Sequence, residues 1–296
     1  MKLHQVNTLV ALADAGSIRA AARMLRLSQP ALTKSIGQLE RDLNAALVQR
    51  SAHGTQFTAI GKALLARARA IDNELRRARE EVAQLIGSYQ GLVAIGVSPA
   101  PALTIVPAAL GKFRRLYPSV RVRIVEGLYP LLAPLLREGS LDFLIGALPP
   151  ETLPKALVAE HLYDNGLVVA ARTSHPLAGK VRRLAELAES EWATAGPLSA
   201  HGTVVEEVFA ELRLPPPRIA VQAESIHAVQ AILPATDLFA MLPEQVFDAC
   251  RAHRIEPLAL RDRIRPARIG FLRRADALLT PAARALVDCI RREVRK

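Results

Sequence analysis

Polar side chains that can pair with the edges of nucleic acid bases recur at helical spacing near the start of the chain. They are Gln29, Thr33, Lys34 and Gln38. A glutamine can pair bidentately with adenine, and a lysine can donate to guanine or to a phosphate. The apolar residues between them, Leu32, Ile36 and Leu39, would form the opposite face of the same helix. The run therefore predicts an amphipathic helix that could lie in a DNA major groove.

A second group of residues could hold a small anion. Ser98, Pro99 and Ala100 follow a β-prone run and precede a helical one. A helix start just past the carboxyl end of a strand offers backbone amides and a hydroxyl to a ligand. The same combination recurs before a later helix, at Gly196, Ser199, His201, Gly202 and Thr203. Two such helix starts facing one cleft would bind an anionic metabolite.

An enzymatic alternative comes from residues 96–100, which approach the G-x-S-x-G pattern of hydrolases with Ser98 as nucleophile. His201 or His227, together with Glu224, could complete a catalytic triad. Pro99 argues against this alternative, because the residue after the nucleophile must donate its backbone N–H to the oxyanion hole and proline has none. We therefore expect no enzyme activity.

Positive charge is concentrated at the amino end of the chain. The formal net charge is +11; residues 1–70 carry ten Lys and Arg against three Asp and Glu, a net of +7, and the other 226 residues carry 29 against 25, a net of +4. A clustered basic surface attracts phosphate, whereas scattered basic residues mainly keep a protein soluble. The distribution favours nucleic acid as the partner of the first quarter of the chain.

The first sixty residues predict short helices joined by a tight turn. Apolar residues at helical spacing predict a first helix that ends at Gly16 and a second that begins after Ser17 as its N-cap. Ser28 is the predicted cap of a third helix, which tolerates Pro30 in its first turn. Two β-prone runs, 47–48 and 56–57, flank a polar loop and predict a wing. This order is typical of a winged helix-turn-helix.

A long helix over residues 59–86 follows, with Thr58 as its cap. Its larger apolar residues alternate steps of four and three, which is the heptad pattern of a coiled coil. They are Ile60, Leu64, Ile71, Leu75, Val82 and Leu85, with Ala68 and Ala78 between them. A lone helix cannot bury so narrow a stripe, so a second copy of the chain is the predicted partner.

The remainder of the chain predicts an α/β architecture. After Gly87 and Gly91, short apolar strands alternate with helices as far as a last helix capped by Thr280, a pattern that favours a mostly parallel sheet. The run 157–170 looks like the crossing into a second α/β lobe. The prolines at 215–217 would form a rigid turn inside that lobe.

Cofactors and a membrane are not expected partners. Cys250 and Cys289 are too few for a disulfide framework, and Cys250 with His253 supplies only half of a usual metal site. No apolar run approaches the ~18 residues that cross a bilayer, and the amino end lacks the pattern of a secretory signal. We therefore expect no metal, no cofactor and no membrane span, and the cytoplasm as the location.

Residues 17–54 carry a family resemblance. Their sequence, SIRAAARMLRLSQPALTKSIGQLERDLNAALVQRSAHG, resembles the amino-terminal signature of the LysR-type transcriptional regulators. The resemblance implies a winged helix-turn-helix over 1–58, a linker and dimerisation helix over 59–90, and an effector-binding domain over 91–296. That domain would have the two-lobed fold of type 2 periplasmic binding proteins, with lobe I at 91–162 and 267–296 and lobe II at 163–266.

Partners and residue roles follow from the same resemblance. It implies a homodimer or homotetramer on double-stranded operator DNA, with RNA polymerase as a further partner. The implied reading edge comprises Ser28, Gln29, Pro30, Thr33 and Lys34. Arg50 and His53 would lie at the wing beside phosphate or the minor groove, although family members often have a basic residue where His53 stands.

Two short runs also resemble one branch of the family and imply a class of effector. The runs GVSPAPALTIVP at 96–107 and EGLYP at 126–130 are similar to the branch of the family that responds to aromatic sulfonates or carboxylates. The family's loop positions add candidate effector contacts, namely Gly127, Leu128, Tyr129, Ile226, His227 and Pro243. A free-standing solute-binding protein stays open as an alternative for the lobes, but it would explain neither the helix-turn-helix nor the missing export signal.

Overall fold

The computed structural model describes residues 1–51, 54–88, 90–149, 153–196, 203–249 and 254–295. The chain divides into two compact units. The first comprises Met1–Gln90 together with the short segment Arg137–Leu141, and the second comprises Gly91–Leu136 and Asp142–Lys296.

The first unit is a small helical domain with one hairpin. Its elements are α1 (Leu3–Ala15), α2 (Ile18–Met24), α3 (Gln29–Leu43), β1 (Val48–Ser51), β2 (Gly54–Phe57) and α4 (Ala59–Leu85). The predicted caps are confirmed: Gly16 ends α1 with φ of 69°, and the side chains of Ser17, Ser28 and Thr58 accept the N–H groups of Ala20, Ala31 and Gly61. Local sequence thus sets most helix boundaries of this unit.

The core of this domain lies between α1, α2 and α3. Leu12, Leu32 and Ile36 are buried there, and Ala21 and Ala22 of α2 are almost fully covered. Because alanine side chains are short, α2 can approach its neighbours closely, as the sequence predicts. This packing leaves the polar side of α3 outside the core.

The hairpin is joined to α3 and α4 by close backbone contacts. The Glu40 carboxylate accepts the N–H groups of Leu47, at 2.8 Å, and Val48, at 3.2 Å. At Gly61, a Cβ atom would lie only 2.0 Å from the carbonyl oxygen of Leu47. Only glycine therefore allows α4 to start this close to the hairpin.

The apolar stripe of α4 is divided between two environments. Ala68 is buried and Leu64 is partly buried against the core residues of α1. Further along the same helix, Ile71, Val82 and Leu85 are 38%, 61% and 72% exposed. The second half of the predicted stripe is thus an apolar surface of the single chain.

The second unit contains the elements of an α/β domain. They are β3 (Gly91–Val97), α5 (Pro99–Leu103), α6 (Ile105–Leu116), β4 (Val120–Glu126), α7 (Tyr129–Arg137), β5 (Phe143–Ala147), β6 (Leu157–Asn165), β7 (Leu167–Arg172), β8 (Glu191–Ala195), α8 (Val204–Glu211), β9 (Arg218–Ala223), α9 (Ile226–Ile232), β10 (Ala240–Pro243), α10 (Glu244–Ala249), β11 (Ile255–Pro257), β12 (Ala267–Arg274) and α11 (Pro281–Val294).

The strands form two lobes with separate cores. In the first lobe the strand order is β4-β3-β5-β12-β6, and Phe113 and Phe143 are fully buried in its core. In the second lobe β10-β7-β11 form one sheet and β8-β9 another, linked by a bridge between Trp192 and Phe239. Trp192 packs edge-to-face on Phe209, with ring centroids 5.4 Å apart.

The prediction of a mostly parallel sheet is wrong. Among the strands that the structure describes, β3 pairs in parallel with β4 and β5, and β8 with β9, whereas β12 runs antiparallel to β5 and β6, and β7 runs antiparallel to β10 and β11. The run 157–170 is two strands of different lobes, separated by Gly166 alone. A strand that follows another without a crossover helix needs no parallel partner, so the alternation with helices misled the prediction here.

Candidate DNA-reading surface and effector cleft

The outer face of α3 presents the residues that the sequence assigns to DNA reading. Their side chains are exposed: Ser28, Gln29, Pro30, Thr33, Lys34 and Gln38. Leu32, Ile36 and Leu39 on the other side are buried, so the predicted amphipathic helix is confirmed. Gly37 and Arg41 line the same shallow depression as Gln29, Thr33 and Lys34. Arg41 was missed by the sequence reasoning, although it lies two turns beyond Lys34 and could have been found by its spacing.

Gln38 makes two side-chain hydrogen bonds within its own helix. Its Nε2 donates to Asp42 Oδ1 at 2.8 Å, and its Oε1 accepts from Arg41 Nη2 at 2.8 Å. The hydrogen bond from Gln38 holds the pKa of Asp42 below its ordinary value. Gln38 must leave these partners before it can pair with a base.

A second depression, between α1 and α3, extends the polar surface. Lys2, His4 and Asn7 from the start of α1 line it together with Lys34 and Gln38. The sequence reasoning missed these α1 residues because they lie outside the helix-turn-helix motif. Their side chains add basic and hydrogen-bonding groups next to the predicted reading edge.

The wing is a short antiparallel hairpin in which Arg50 pairs with Thr55 and Ser51 with Gly54. This register places Arg50 one residue before the end of β1. His53 lies outside the described residues.

The first predicted anion site offers few backbone donors. Ser98 is buried, and its N–H donates to the carbonyl of Ile145 at 2.8 Å. Helix α5 has only five residues, and two of its first three, Pro99 and Pro101, have no N–H. Ala100 is buried as well. The geometry gives an anion little to bind at this helix start.

The second predicted anion site already holds a carboxylate. Glu206 Oε2 in the first turn of α8 accepts the N–H of Thr203 at 2.6 Å, and Glu207 follows it. Gly196 is buried, and its N–H donates to the carbonyl of Ala223 at 2.8 Å. Ser199, His201 and Gly202 lie outside the described residues.

A cavity of about 240 Å³ lies between the two lobes of the second unit. Its lining from the first lobe is Pro99, Glu126, Gly127, Leu128 and Leu131, and its lining from the second lobe is Ala195, Glu224, Ser225, Ile226 and His227. Five predicted effector contacts therefore meet in one place: Pro99, Gly127, Leu128, Ile226 and His227. The described lining does not include Ser98, Ala100, Tyr129, Gly196, Thr203 or Pro243. Hereafter this cavity is called the effector cleft.

The acidic residues of the effector cleft were missed as ligand contacts. Glu126 is the last residue of β4, and Glu224 directly follows β9. The carboxyl ends of parallel strands are where α/β sheets bind ligands. Their position after two parallel strands was therefore a signal that sequence reasoning could have used.

His227 connects the two lobes. Its Nε2 lies 3.3 Å from Glu126 Oε1, and its Nδ1 lies 3.2 Å from Gln230 Oε1. The buried Gln230 amide is oriented by its Nε2, which donates to the carbonyl of Val246 at 3.1 Å. Both ring nitrogens of His227 thus face acceptor oxygens, one in each lobe.

The electrostatics of the effector cleft do not favour an anion. Its described lining contains two carboxylates and neither lysine nor arginine. Two like charges 4 Å apart repel by about 1 kcal/mol in water and by about 4 kcal/mol at an effective dielectric of about 20. The half-exposed positions of Glu126 and His227 place the cleft between these limits.

The hydrolase alternative has no support in the described geometry. Ser98 has its N–H committed to Ile145, and His227 faces Glu126 and Gln230. Cys289 is buried, and its burial raises the pKa of its thiol. No cluster of three or more metal-ligating side chains occurs within the described ranges. Among those residues there is also no helix long and apolar enough to span a membrane.

Comparison with known proteins places both units. The family model for the LysR substrate binding domain matches residues 87–295, and the model for bacterial regulatory helix-turn-helix proteins of the lysR family matches residues 3–62.

Curated relatives are transcription regulators rather than enzymes. The HTH-type transcriptional regulator GalR of Pseudomonas putida is 30% identical over 98% of this chain and 73% of its own length. GbpR of Azospirillum brasilense is 29% identical over 98% and 86%. The SDS degradation transcriptional activation protein of a Pseudomonas species is 29% identical over 96% and 94%.

Solved structures show the same fold. CbnR, a LysR family transcriptional regulator, superposes with a TM-score of 0.72 at 24% identity, with both chains covered completely. Full-length CbnR in complex with its target DNA gives a TM-score of 0.71 at 24% identity, over 99% of this chain and 100% of CbnR. The chain therefore belongs to the LysR family of bacterial transcription regulators, with an amino-terminal helix-turn-helix and a carboxyl-terminal effector-binding domain.

Proposed function

We propose that the chain reads a specific operator sequence with α3 and that a small molecule in the effector cleft controls this binding. The observation that carries the proposal is the outer face of α3. Gln29, Thr33 and Lys34 are exposed there on a helix whose other face is fixed in the core. A recognition helix needs this combination of a rigid support and free polar groups that can reach base edges.

Each part of the winged helix-turn-helix at residues 1–58, called the DNA head from here on, has a separate task in this proposal. Gln29 and Lys34 contact base edges in the major groove, where amide and ammonium groups distinguish bases. Ser28 and Pro30 start the helix, and Arg50 and His53 at the wing contact phosphate or the minor groove. Phosphate contacts position the head, and base contacts give the sequence preference.

The acting species in this proposal is a homodimer or homotetramer that associates through α4. The exposed apolar residues Ile71, Val82 and Leu85 support it, because they follow heptad spacing and would be covered by the same stripe of a second copy. Ligand binding between the lobes would change their angle and hence the spacing of the DNA heads. Contact with RNA polymerase stays a prediction.

The chemical class of the effector has evidence on both sides. The resemblance of residues 96–107 and 126–130 implies an aromatic carboxylate or sulfonate, and one relative is named for the degradation of SDS, which favours an anion. The described lining of the effector cleft weighs against an anion, because its charged residues include Glu126 and Glu224 but no lysine or arginine.

Operator reading is tested by selection from a random pool of DNA duplexes with the full chain, followed by footprinting on the enriched sequence. The Gln29→Ala variant should enrich a less defined sequence, because it loses a bidentate base contact worth about 1–3 kcal/mol of discrimination. Lys155→Ala, an exposed lysine of the second unit, should enrich the same sequence as the wild type. An unchanged preference in a folded Gln29→Ala variant would refute the role of Gln29. A folded wild-type chain that ignores DNA at low ionic strength would refute the proposed function.

A further inference from the structure

We propose that the effector cleft recognises a ligand without net negative charge through the ligand's hydrogen-bond donors, with Glu126 and Glu224 as acceptors. The shared chemistry of such ligands is a hydroxyl or ammonium group on a small carbon frame, as in a polyol or a small amine. In the structure the His227 ring lies beside Glu126, where that donor would bind. The inference rests on the proposed role of the cleft as the effector site.

The first argument is the placement of acceptors in the cavity. Glu126 ends β4 in the first lobe, and Glu224 follows β9 in the second, so the cleft has one carboxylate on each side. An ionised carboxylate accepts hydrogen bonds and donates none. Two such groups facing one small cavity suit a ligand that brings donors to both lobes.

The second argument is the state of the potential donors in the described lining. His227 has Nε2 beside Glu126 and Nδ1 beside Gln230, so its two nitrogens already have acceptors. The backbone N–H of Gly127 donates to the carbonyl of Val97 at 3.1 Å. The Ser225 hydroxyl accepts the N–H of His227 at 3.2 Å. A carboxylate or sulfonate would find few groups here that are ready to neutralise it.

The third argument is the shape of the remaining surface. Pro99, Leu128, Leu131 and Ile226 supply apolar walls. A cavity of about 240 Å³ is smaller than the ~300–1,000 Å³ of sites for drug-sized ligands. The walls can cover the carbon frame of a small polyol or amine while its donors reach the two carboxylates.

His227 acts as a placeholder in this arrangement. Because Gln230 is buried and fixed by the carbonyl of Val246, it holds the ring of His227 in position to reach across to Glu126. A ligand donor that replaces the ring breaks the cross-lobe contact between His227 and Glu126 and forms its own hydrogen bond to Glu126. The ligand thereby changes what holds the lobes together.

The test measures ligand binding to the full chain by calorimetry and by thermal shift. The probes are putrescine as an amine, mannitol and glucose as polyols, and benzoate and p-toluenesulfonate as anions. At least one amine or polyol should bind and raise the midpoint of unfolding with concentration, and the anions should not. Binding of putrescine would identify the donor as an ammonium group, and binding of mannitol or glucose would identify it as a hydroxyl group.

Three variants give opposite signs that a merely structural role would not produce. Glu126→Gln should weaken binding of the responding probe by about tenfold or more, since it removes a charged acceptor. His227→Ala should strengthen binding several-fold, because the ligand no longer has to displace the His227 ring from Glu126. Glu126→Gln with Glu224→Gln should gain affinity for p-toluenesulfonate. Glu189→Gln, an exposed glutamate that is not part of the described lining of the cleft, should match the wild type.

The inference is overturned if wild-type protein binds benzoate or p-toluenesulfonate and Glu126→Gln leaves that affinity unchanged. It is also overturned if none of the amine and polyol probes binds. A gel-shift assay with operator DNA on the same preparations distinguishes failure of the proposed function from failure of the proposed ligand class. Loss of DNA binding by the folded wild type contradicts the proposed function, whereas intact DNA binding with the wrong ligand response contradicts only the ligand class.

Discussion

Arg77 of α4 donates through Nη2 to the carbonyl of Gly139 at 2.7 Å. The same nitrogen donates to the carbonyl of Leu141 at 2.9 Å, and Nη1 lies 3.3 Å from Glu74 Oε2. The Arg77 side chain is almost completely buried, which is rare for arginine and requires partners for its donors. The segment Arg137–Leu141 connects α7 to β5 along the chain, yet it is held by the linker helix as part of the first unit.

Arg77→Met should destabilise the protein by about 2–4 kcal/mol, because two buried carbonyls lose their donors while the methionine keeps most of the packing. The free energy of unfolding from urea titration measures this loss. Arg79→Met, on the exposed side of the same helix, should change it by less than about 0.5 kcal/mol. Equal stabilities of the two variants would contradict the role given to Arg77.

Val82→Asp should weaken self-association about 100-fold, since each copy loses a buried apolar side chain and gains a buried carboxylate at the seam. Sedimentation velocity over a range of concentrations measures the shift to monomer. Lys62→Asp introduces a carboxylate on the same helix outside the stripe and should leave association unchanged. A Val82→Asp variant that associates like the wild type would show that α4 is not the seam.

Gly61→Ala and Gly111→Ala form a matched pair. At Gly61 the new methyl group would lie 2.0 Å from the carbonyl oxygen of Leu47, whereas at Gly111 nothing lies within 4 Å. Gly61→Ala should therefore cost about 1–3 kcal/mol of stability through overpacking. Gly111→Ala in the interior of α6 should gain about 0.5–1 kcal/mol. Thermal unfolding of both variants checks the opposite signs.

Lys34→Ala and Lys2→Ala should each reduce the salt dependence of DNA binding. A lysine that neutralises one phosphate contributes about −0.9 to the slope of log affinity against log salt concentration. Lys34 lies on the outer face of α3, and Lys2 lines the depression beside it. Fluorescence anisotropy from low to moderate salt gives the slopes. Lys155→Ala is the control, and a Lys2→Ala slope equal to that of the wild type would exclude Lys2 from the DNA contact.

Gln38→Ala should raise the pKa of Asp42 towards its ordinary value of 3.8, because the hydrogen bond from Gln38 is the largest cause of its lowering. The sign for stability follows from linkage. A lowered carboxyl pKa stabilises the folded state above the unfolded value, and this contribution is lost as pH falls through the folded pKa. The difference in stability between wild type and Gln38→Ala should therefore shrink in strong acid. An NMR titration of Asp42 in both proteins measures the pKa directly.

The sequence contained what is local in this fold. Ser17, Ser28 and Thr58 are caps that act within three residues, and Gly16 ends a helix by its own conformation. The helix-turn-helix and the heptad stripe depend on such short spacings, so they could be predicted. Strand direction could not be predicted: the run 157–170 indicates a crossing into a second lobe, but nothing beside Gly166 shows that β6 and β7 pair antiparallel with their neighbours.

The residues of the effector cleft were harder to predict from the sequence than the helices. Glu126 and His227 approach to 3.3 Å although they are about a hundred positions apart in the chain. Helix caps and apolar periodicity carry no information about a pair so distant. The expectation of an anion rested on two helix starts and on a family resemblance, and the prolines at 99 and 101 weaken the first helix start. Which charged residues line the cleft depends on the fold, because the fold brings the end of β4 next to the start of α9.

Trp192 is the only tryptophan of the chain, and it is fully covered by Phe209 and Phe239 in the second lobe. Its intrinsic emission therefore reports on that lobe from inside. The spectrum should start blue-shifted and move to the red only when this aromatic cluster opens to water. Tryptophan emission thus follows the unfolding of the second lobe alone, whereas far-ultraviolet dichroism follows the helices of both units.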